Sequence, residues 1–118
     1  MNTQLTERQI KQRIVEAKIE SAKIGLAKWQ QQFNENPFDA FRWSEDAMEE
    51  AATLSILQLV AKLLADEERT IEQIVNRLKN DAMRAARTGK RGVMGDCEGY
   101  AVAARLRILE SVFGVDEF

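Results

Sequence analysis

Carboxylates are the side chains of this sequence with the clearest potential for chemistry. Asp46 and Glu49 are three residues apart, so they share one face of any helix that contains them. Two such acids can hold Mg²⁺ for phosphoryl chemistry. A magnesium-dependent nucleotide hydrolase also needs a second acidic pair facing them from the next helix, and the sequence offers none there. We therefore expect the two acids to be favourable charges at a helix N-terminus, and we rank this hydrolase last of the functions considered.

The other residue types that carry chemistry argue against catalysis. The 118 residues include no histidine, which removes the commonest general base and the commonest metal ligand. The single cysteine, Cys97, excludes an internal disulfide and a cysteine-based zinc cluster. Without histidine it cannot form a Cys–His nucleophile either. The sequence therefore predicts a protein that is not an enzyme and binds no cofactor or metal.

Charge is distributed unevenly along a chain whose net charge is only −2. Residues 35–72 contain ten acids and three bases, a net charge of −7. Residues 73–107 contain eight bases and three acids, a net charge of +5. Because each block creates a field of its own sign, we expect binding partners at one or both of them.

The acidic block overlaps a cluster of five aromatic residues between Trp29 and Trp43. Aromatic side chains dominate the binding energy of protein interfaces. They can equally well close the end of a helical bundle, and the sequence leaves both roles open. If the cluster is exposed, the candidate contacts with a protein partner are Glu45, Asp46, Glu49, Glu50, Phe38, Phe41 and Trp43.

The basic block concentrates four cations around a glycine-rich loop. These candidate nucleic-acid contacts are Arg84, Arg87, Lys90 and Arg91. A patch of this kind can bind phosphate groups. The first two residues also suit the last turn of a helix, where cations complement the helix dipole without any ligand. We therefore treat a small nucleic-acid-binding or packaging factor as the second hypothesis.

A long amphipathic helix is predicted over residues 7–33. Thr6 and Gln9 have the spacing of a capping box at its start. Gly25 interrupts the helix at a cost of about 1 kcal/mol relative to alanine and indicates close helix packing. An arm of this length outreaches its neighbours, so a homodimer is one expected assembly. Two apolar stripes predict one wide buried face: Ile10, Ile14, Ala17, Ser21 and Ile24, and beside them Val15, Ile19, Ala22, Leu26, Trp29 and Phe33.

Three further helices are predicted, with a short extra turn at Pro37. The second is apolar around most of its circumference and is expected to be central; it leaves a polar strip of Ser55, Gln58 and Lys62. The predicted N-caps of the three helices are Ser44, Thr70 and Asp96, and the predicted stops of the last two are Gly89 and Gly114. Whether the second and third helices are separate is open. No segment alternates with period two, so we expect an all-α, four-helix bundle-like single domain over residues 1–118 with no sheet.

Two features bear on location. The longest uncharged run covers residues 51–61, well short of the roughly 20 apolar residues that span a membrane. Residues 1–20 are rich in charge and lack the apolar centre of a signal peptide. We therefore expect a cytoplasmic protein without a membrane partner.

Residues 36–52 read NPFDAFRWSEDAMEEAA, an aromatic turn followed by a Trp-Ser cap and an alanine-rich helix. This pattern, within residues 29–65, resembles a stretch of small helical accessory proteins of bacteriophages. The resemblance implies a factor that binds a host protein, and for a phage protein the location would be the host cytoplasm. Together with the absence of a catalytic set, it makes a non-enzymatic module that binds and inhibits or modulates a larger protein our leading hypothesis.

Overall fold

The fold is all-α, as predicted. The computed structural model describes residues 5–42, 44–87 and 93–115, and within them all side chains except those of 40–42, 85–87, 93–99 and 101. The described residues form five helices, α1 (Glu7–Glu35), α2 (Pro37–Arg42), α3 (Ser44–Ala65), α4 (Ile71–Arg87) and α5 (Val93–Phe113). Helix α2 is the short turn predicted at Pro37. No strand occurs within the described ranges.

The start and end of α1 follow from local chemistry. At its start Gln9 N–H donates to Thr6 Oγ1 at 3.2 Å and Thr6 N–H donates to Gln9 Oε1 at 2.9 Å, which confirms the predicted capping box. The helix ends at Glu35 with Asn36 as its C-cap, because helical backbone geometry is disfavoured for a residue before proline. The Asn36 side chain donates to Asp39 Oδ2 at 2.8 Å and thereby fixes the turn into α2.

Helix α3 is the central element of the core, as expected from its apolar circumference. It packs against α1 and α5 and also contacts α2 and α4, while α4 pairs mainly with α5. The predicted polar strip is exposed along its whole length. The largest fully buried side chains come from four helices and form one continuous core: Val15, Leu57, Val60, Leu64, Ile74, Leu78, Ile108 and Leu109.

Side chains near the start of α1 cap the ends of two other helices. Arg8 Nη1 donates to the carbonyl oxygens of Leu64 at 2.7 Å and Asp66 at 3.0 Å, at the end of α3. Gln12 Nε2 donates to Leu64 O at 3.1 Å. Lys11 Nζ donates to Val112 O at 3.0 Å, at the end of α5. Because the last carbonyls of a helix have no partner within it, these bonds hold α1 in register with both helices.

The predicted wide buried face of α1 is wrong in its extent, because most of the first stripe is exposed and only Ile14 of it packs against the core. Val15 and Ala22 of the second stripe are buried against α3 and α5. Ile10 and Ile24 of the first stripe are 46% and 58% exposed. The described helices all pack on one side of α1, so its opposite side faces solvent. The far end of α1 overhangs as predicted, since every residue from 30 to 39 is exposed.

The remaining connections correct two predictions and confirm two. Helices α3 and α4 are separate, and Thr70 caps α4 through a capping box with Gln73. Gly114 has φ +68° and ends α5, as expected of a glycine stop. In contrast, Asp96 lies inside α5, which begins three residues earlier, and Ser44 is the first residue of α3 and not the residue before it. Gly89 lies outside the described residues.

Candidate protein-binding surface

The junction of α1 and α2 exposes two phenylalanine side chains, which we call the aromatic corner. Phe38 is 75% exposed and Phe33 is 49% exposed. Trp29, one turn before Phe33, is half-buried. Phe41 lies in α2 but its side chain, like all of Trp43, lies outside the described part of the chain. For Phe33 and Phe38 the alternative of a buried plug at the bundle end is therefore wrong.

Acidic residues lie close to the aromatic corner in the sequence. Glu35 ends α1 and accepts a hydrogen bond from Gln31 Nε2 at 3.1 Å, and Asp39 lies in the first turn of α2. Glu45 and Asp46 are exposed in the first turn of α3. The two helix N-termini stabilise the acids in their first turns. The segment from Glu35 to Asp46 thus combines exposed aromatic side chains with exposed acids.

The other two acids predicted as protein contacts have a different environment. Glu49 and Glu50 are half-buried and line a cleft between α1, α3 and α5 with a volume of about 640 Å³. The cleft has an apolar floor and polar walls of both charges. Its lining is Lys18, Ser21, Ala22, Glu49, Glu50, Thr53, Leu57, Arg107, Ile108, Glu110 and Ser111.

The carboxylate of Glu50 lies over Gly25 of α1. A Cβ added at Gly25 would lie 2.6 Å from Glu50 Cδ and 2.7 Å from Oε2, and Oε1 would be nearer still. Glu50 Oε2 is buried and has no hydrogen-bond partner among the described residues. The glycine thus makes room for a side chain of α3, which specifies the close packing expected from the sequence.

Only part of the predicted nucleic-acid patch can be placed. Arg84 is exposed near the end of α4. Arg87 ends that helix, but its side chain lies outside the described residues, as do Lys90 and Arg91 altogether. A basic loop that binds nucleic acid therefore stays a prediction.

The acidic pair considered for magnesium binding does not form a recognisable centre. Asp46 is exposed, whereas Glu49 is half-buried at the cleft. Among the described residues no group of three or more His, Cys, Asp or Glu side chains is arranged to hold a metal ion. In the same part of the chain no helix combines the length and apolar character needed to cross a membrane.

Sequence reasoning did not single out the cleft. Lys18, Arg107 and Glu110 come from two helices more than 80 residues apart, and they carry no motif that would connect them. Only the packing of α1 and α5 on α3 brings them together. A correct prediction of helix pairing would have been needed to find them.

The comparisons with known proteins find no match for this chain. No family model matches the chain, and neither the curated proteins nor the solved structures give a significant match.

Proposed function

We propose that this protein is a non-enzymatic binding module that docks on a basic surface of a larger protein through its aromatic corner. The observation that carries the proposal is the exposure of Phe38, 75%, and of Phe33, 49%, at the junction of α1 and α2. Exposed aromatic side chains together with exposed acids suit a partner with an apolar pocket and a positive rim.

Burying the corner would supply a substantial part of the binding free energy. A phenylalanine buries about 200 Å², so covering the exposed fractions of Phe38 and Phe33 would remove about 250 Å² from water. At about 25 cal/mol per Å² this gives roughly 6 kcal/mol before the cost of association. The two side chains therefore serve as anchors, and further contacts must supply the rest.

The surrounding acids would contribute mainly to the rate and selectivity of association. Glu45 and Asp46 are exposed, so water and salt screen their attraction for a basic partner. Complementary charge of this kind steers encounter and excludes acidic competitors. We therefore expect binding to weaken as ionic strength rises.

The resemblance of residues 36–52 to phage accessory proteins supports a host protein as the partner, with inhibition or modulation as the consequence. The aromatic corner lies inside this segment at Phe38. The proposal places the function in the contact itself, and it requires no catalytic residue or cofactor.

A differential capture experiment tests the proposal. Immobilised wild-type protein, Phe38→Ala and Met83→Ala are incubated with lysate of the source cells, and captured proteins are identified by mass spectrometry. Met83 is 50% exposed on α4, so its truncation is a matched loss of apolar surface away from the corner. We expect a protein that wild type and Met83→Ala retain and that Phe38→Ala loses by at least tenfold.

Two results would contradict the proposal. One is a partner that Phe38→Ala and Phe33→Ala both retain at wild-type level. The other is recovery of nucleic acid without a protein, abolished by Arg84→Glu, which would favour the alternative of a nucleic-acid-binding factor.

A further inference from the structure

The solvent side of α1 carries an apolar line that no described helix covers. Ile10 and Ile24 are 46% and 58% exposed, and exposed Ala17 lies between them. Successive members of this line are seven residues apart, which is just under two helical turns, so all three lie on one side of the helix. The buried residues Val15 and Ala22 lie on the opposite side.

The residues on this side are arranged symmetrically about Ala17. Ile10 and Ile24 lie seven residues before and after it. Arg13 and Glu20, both exposed and of opposite charge, lie on the same flank four residues before and three residues after it, so they are symmetrical to within one residue. Within the chain Glu20 also forms an exposed ion pair with Lys23 at 3.8 Å. A helix with these properties is complementary to a copy of itself that runs in the opposite direction.

We propose that two copies of this chain pair antiparallel through the outer side of α1, around a two-fold axis at Ala17. Ile10 then packs on the partner's Ile24, and Arg13 lies beside the partner's Glu20, with both contacts repeated by symmetry. The small side chain at Ala17 lets the two backbones approach closely. Parallel pairing would not bring these charges together, since the flank that carries Arg13 would then lie opposite the partner's other flank, which carries Ser21.

The contact is expected to be weak. Helices paired over residues 7–27 share a length of about 30 Å. One helix pair of this length lies at or below the roughly 1,200 Å² that separates weak interfaces from stable ones. We therefore expect a dissociation constant on the order of 10 µM. The aromatic corner lies outside the paired segment, so this proposal does not depend on the proposed function.

Sedimentation velocity of the full chain between 5 and 500 µM tests the pairing. Wild type should shift from monomer to dimer across this range. Ile24→Asp should remove the dimer while the circular dichroism of the monomer stays unchanged, because the side chain is exposed. A monomer at every concentration, or a dimer that Ile24→Asp leaves intact, would overturn the proposal.

Charge reversal tests the antiparallel orientation. Arg13→Glu and Glu20→Arg should each weaken dimerisation at least tenfold, because each places like charges beside one another twice. The double variant Arg13→Glu/Glu20→Arg should restore it. Glu67→Arg is the matched control, since it makes the same change in charge as Glu20→Arg at an exposed position in the α3–α4 connection and should have no effect. Failure of the double variant to restore the dimer would refute this geometry.

Discussion

Replacing Gly25 by alanine should stabilise this protein, although a Cβ at this position meets the Glu50 carboxylate. The gain comes from helix propensity, because alanine is favoured over glycine in a helix interior by about 0.8–1.0 kcal/mol. The opposing cost depends on what must move. The three nearest atoms to the new Cβ all belong to the end of the Glu50 side chain, which can rotate away, and none is backbone.

The cost of that rotation is small for a second reason. Glu50 Oε2 is buried without a hydrogen-bond partner among the described residues, so moving the carboxylate towards solvent gives this oxygen access to water. We therefore expect a net increase of about 0.5–1 kcal/mol in the free energy of unfolding. For a domain of this size an increase of 1 kcal/mol corresponds to about 4 °C in Tm.

Urea unfolding followed by circular dichroism measures the change, with Ala27→Gly as the calibration. Ala27 is exposed on the same helix, so its replacement should cost about 1 kcal/mol through propensity alone. In a Glu50→Ala background, Gly25→Ala should give the full propensity gain. Destabilisation by more than 1 kcal/mol in both backgrounds would show that the α1 and α3 backbones are too close for any side chain, and it would refute the reasoning.

Three further predictions concern the core and the caps. Leu64→Ala should lower the free energy of unfolding by about 3 kcal/mol, because the side chain is fully buried and its truncation leaves a cavity. Urea unfolding measures this loss, and a loss below about 1 kcal/mol would contradict the assigned core. Arg8→Ala should lower the free energy of unfolding by about 1.5 kcal/mol in the same assay, because two carbonyl groups at the end of α3 lose a charged donor. An unchanged midpoint would mean that water replaces this donor fully. Thr70→Ala should cost about 1 kcal/mol and Thr70→Ser much less, because only the hydroxyl caps α4; equal losses in thermal unfolding would exclude that role.

The elements of this fold that depend on neighbouring residues could be predicted from the sequence. Thr6 with Gln9 and Thr70 with Gln73 are local capping boxes, and both form as predicted. Gly114 adopts the positive φ expected of a glycine stop. The boundary at Pro37 follows from the steric effect of proline on the residue before it.

Features that depend on which helices meet could not be predicted in the same way. Periodicity shows that α1 has a wide apolar face. It cannot show that Val15 and Ala22 are buried by other helices while Ile10 and Ile24 stay exposed. Glu45 and Asp46 are exposed, whereas Glu49 and Glu50 line the cleft. This difference also depends on how α1 crosses α3. The residue type of Asp96 predicts an N-cap, yet α5 begins three residues before it, at Val93.

The bonds from α1 to the ends of α3 and α5 have a consequence for synthesis of the chain. Lys11 and Val112 are 101 residues apart, so their hydrogen bond can form only after α5 has been synthesised. At a synthesis rate of about 5–20 residues per second, roughly 5–20 s separate the two residues. During this interval the inner side of α1, with Val15 and Ala22, has no α5 to cover it. The bond from Arg8 to Leu64 O can form earlier, so α1 is held first by α3 and only later by α5.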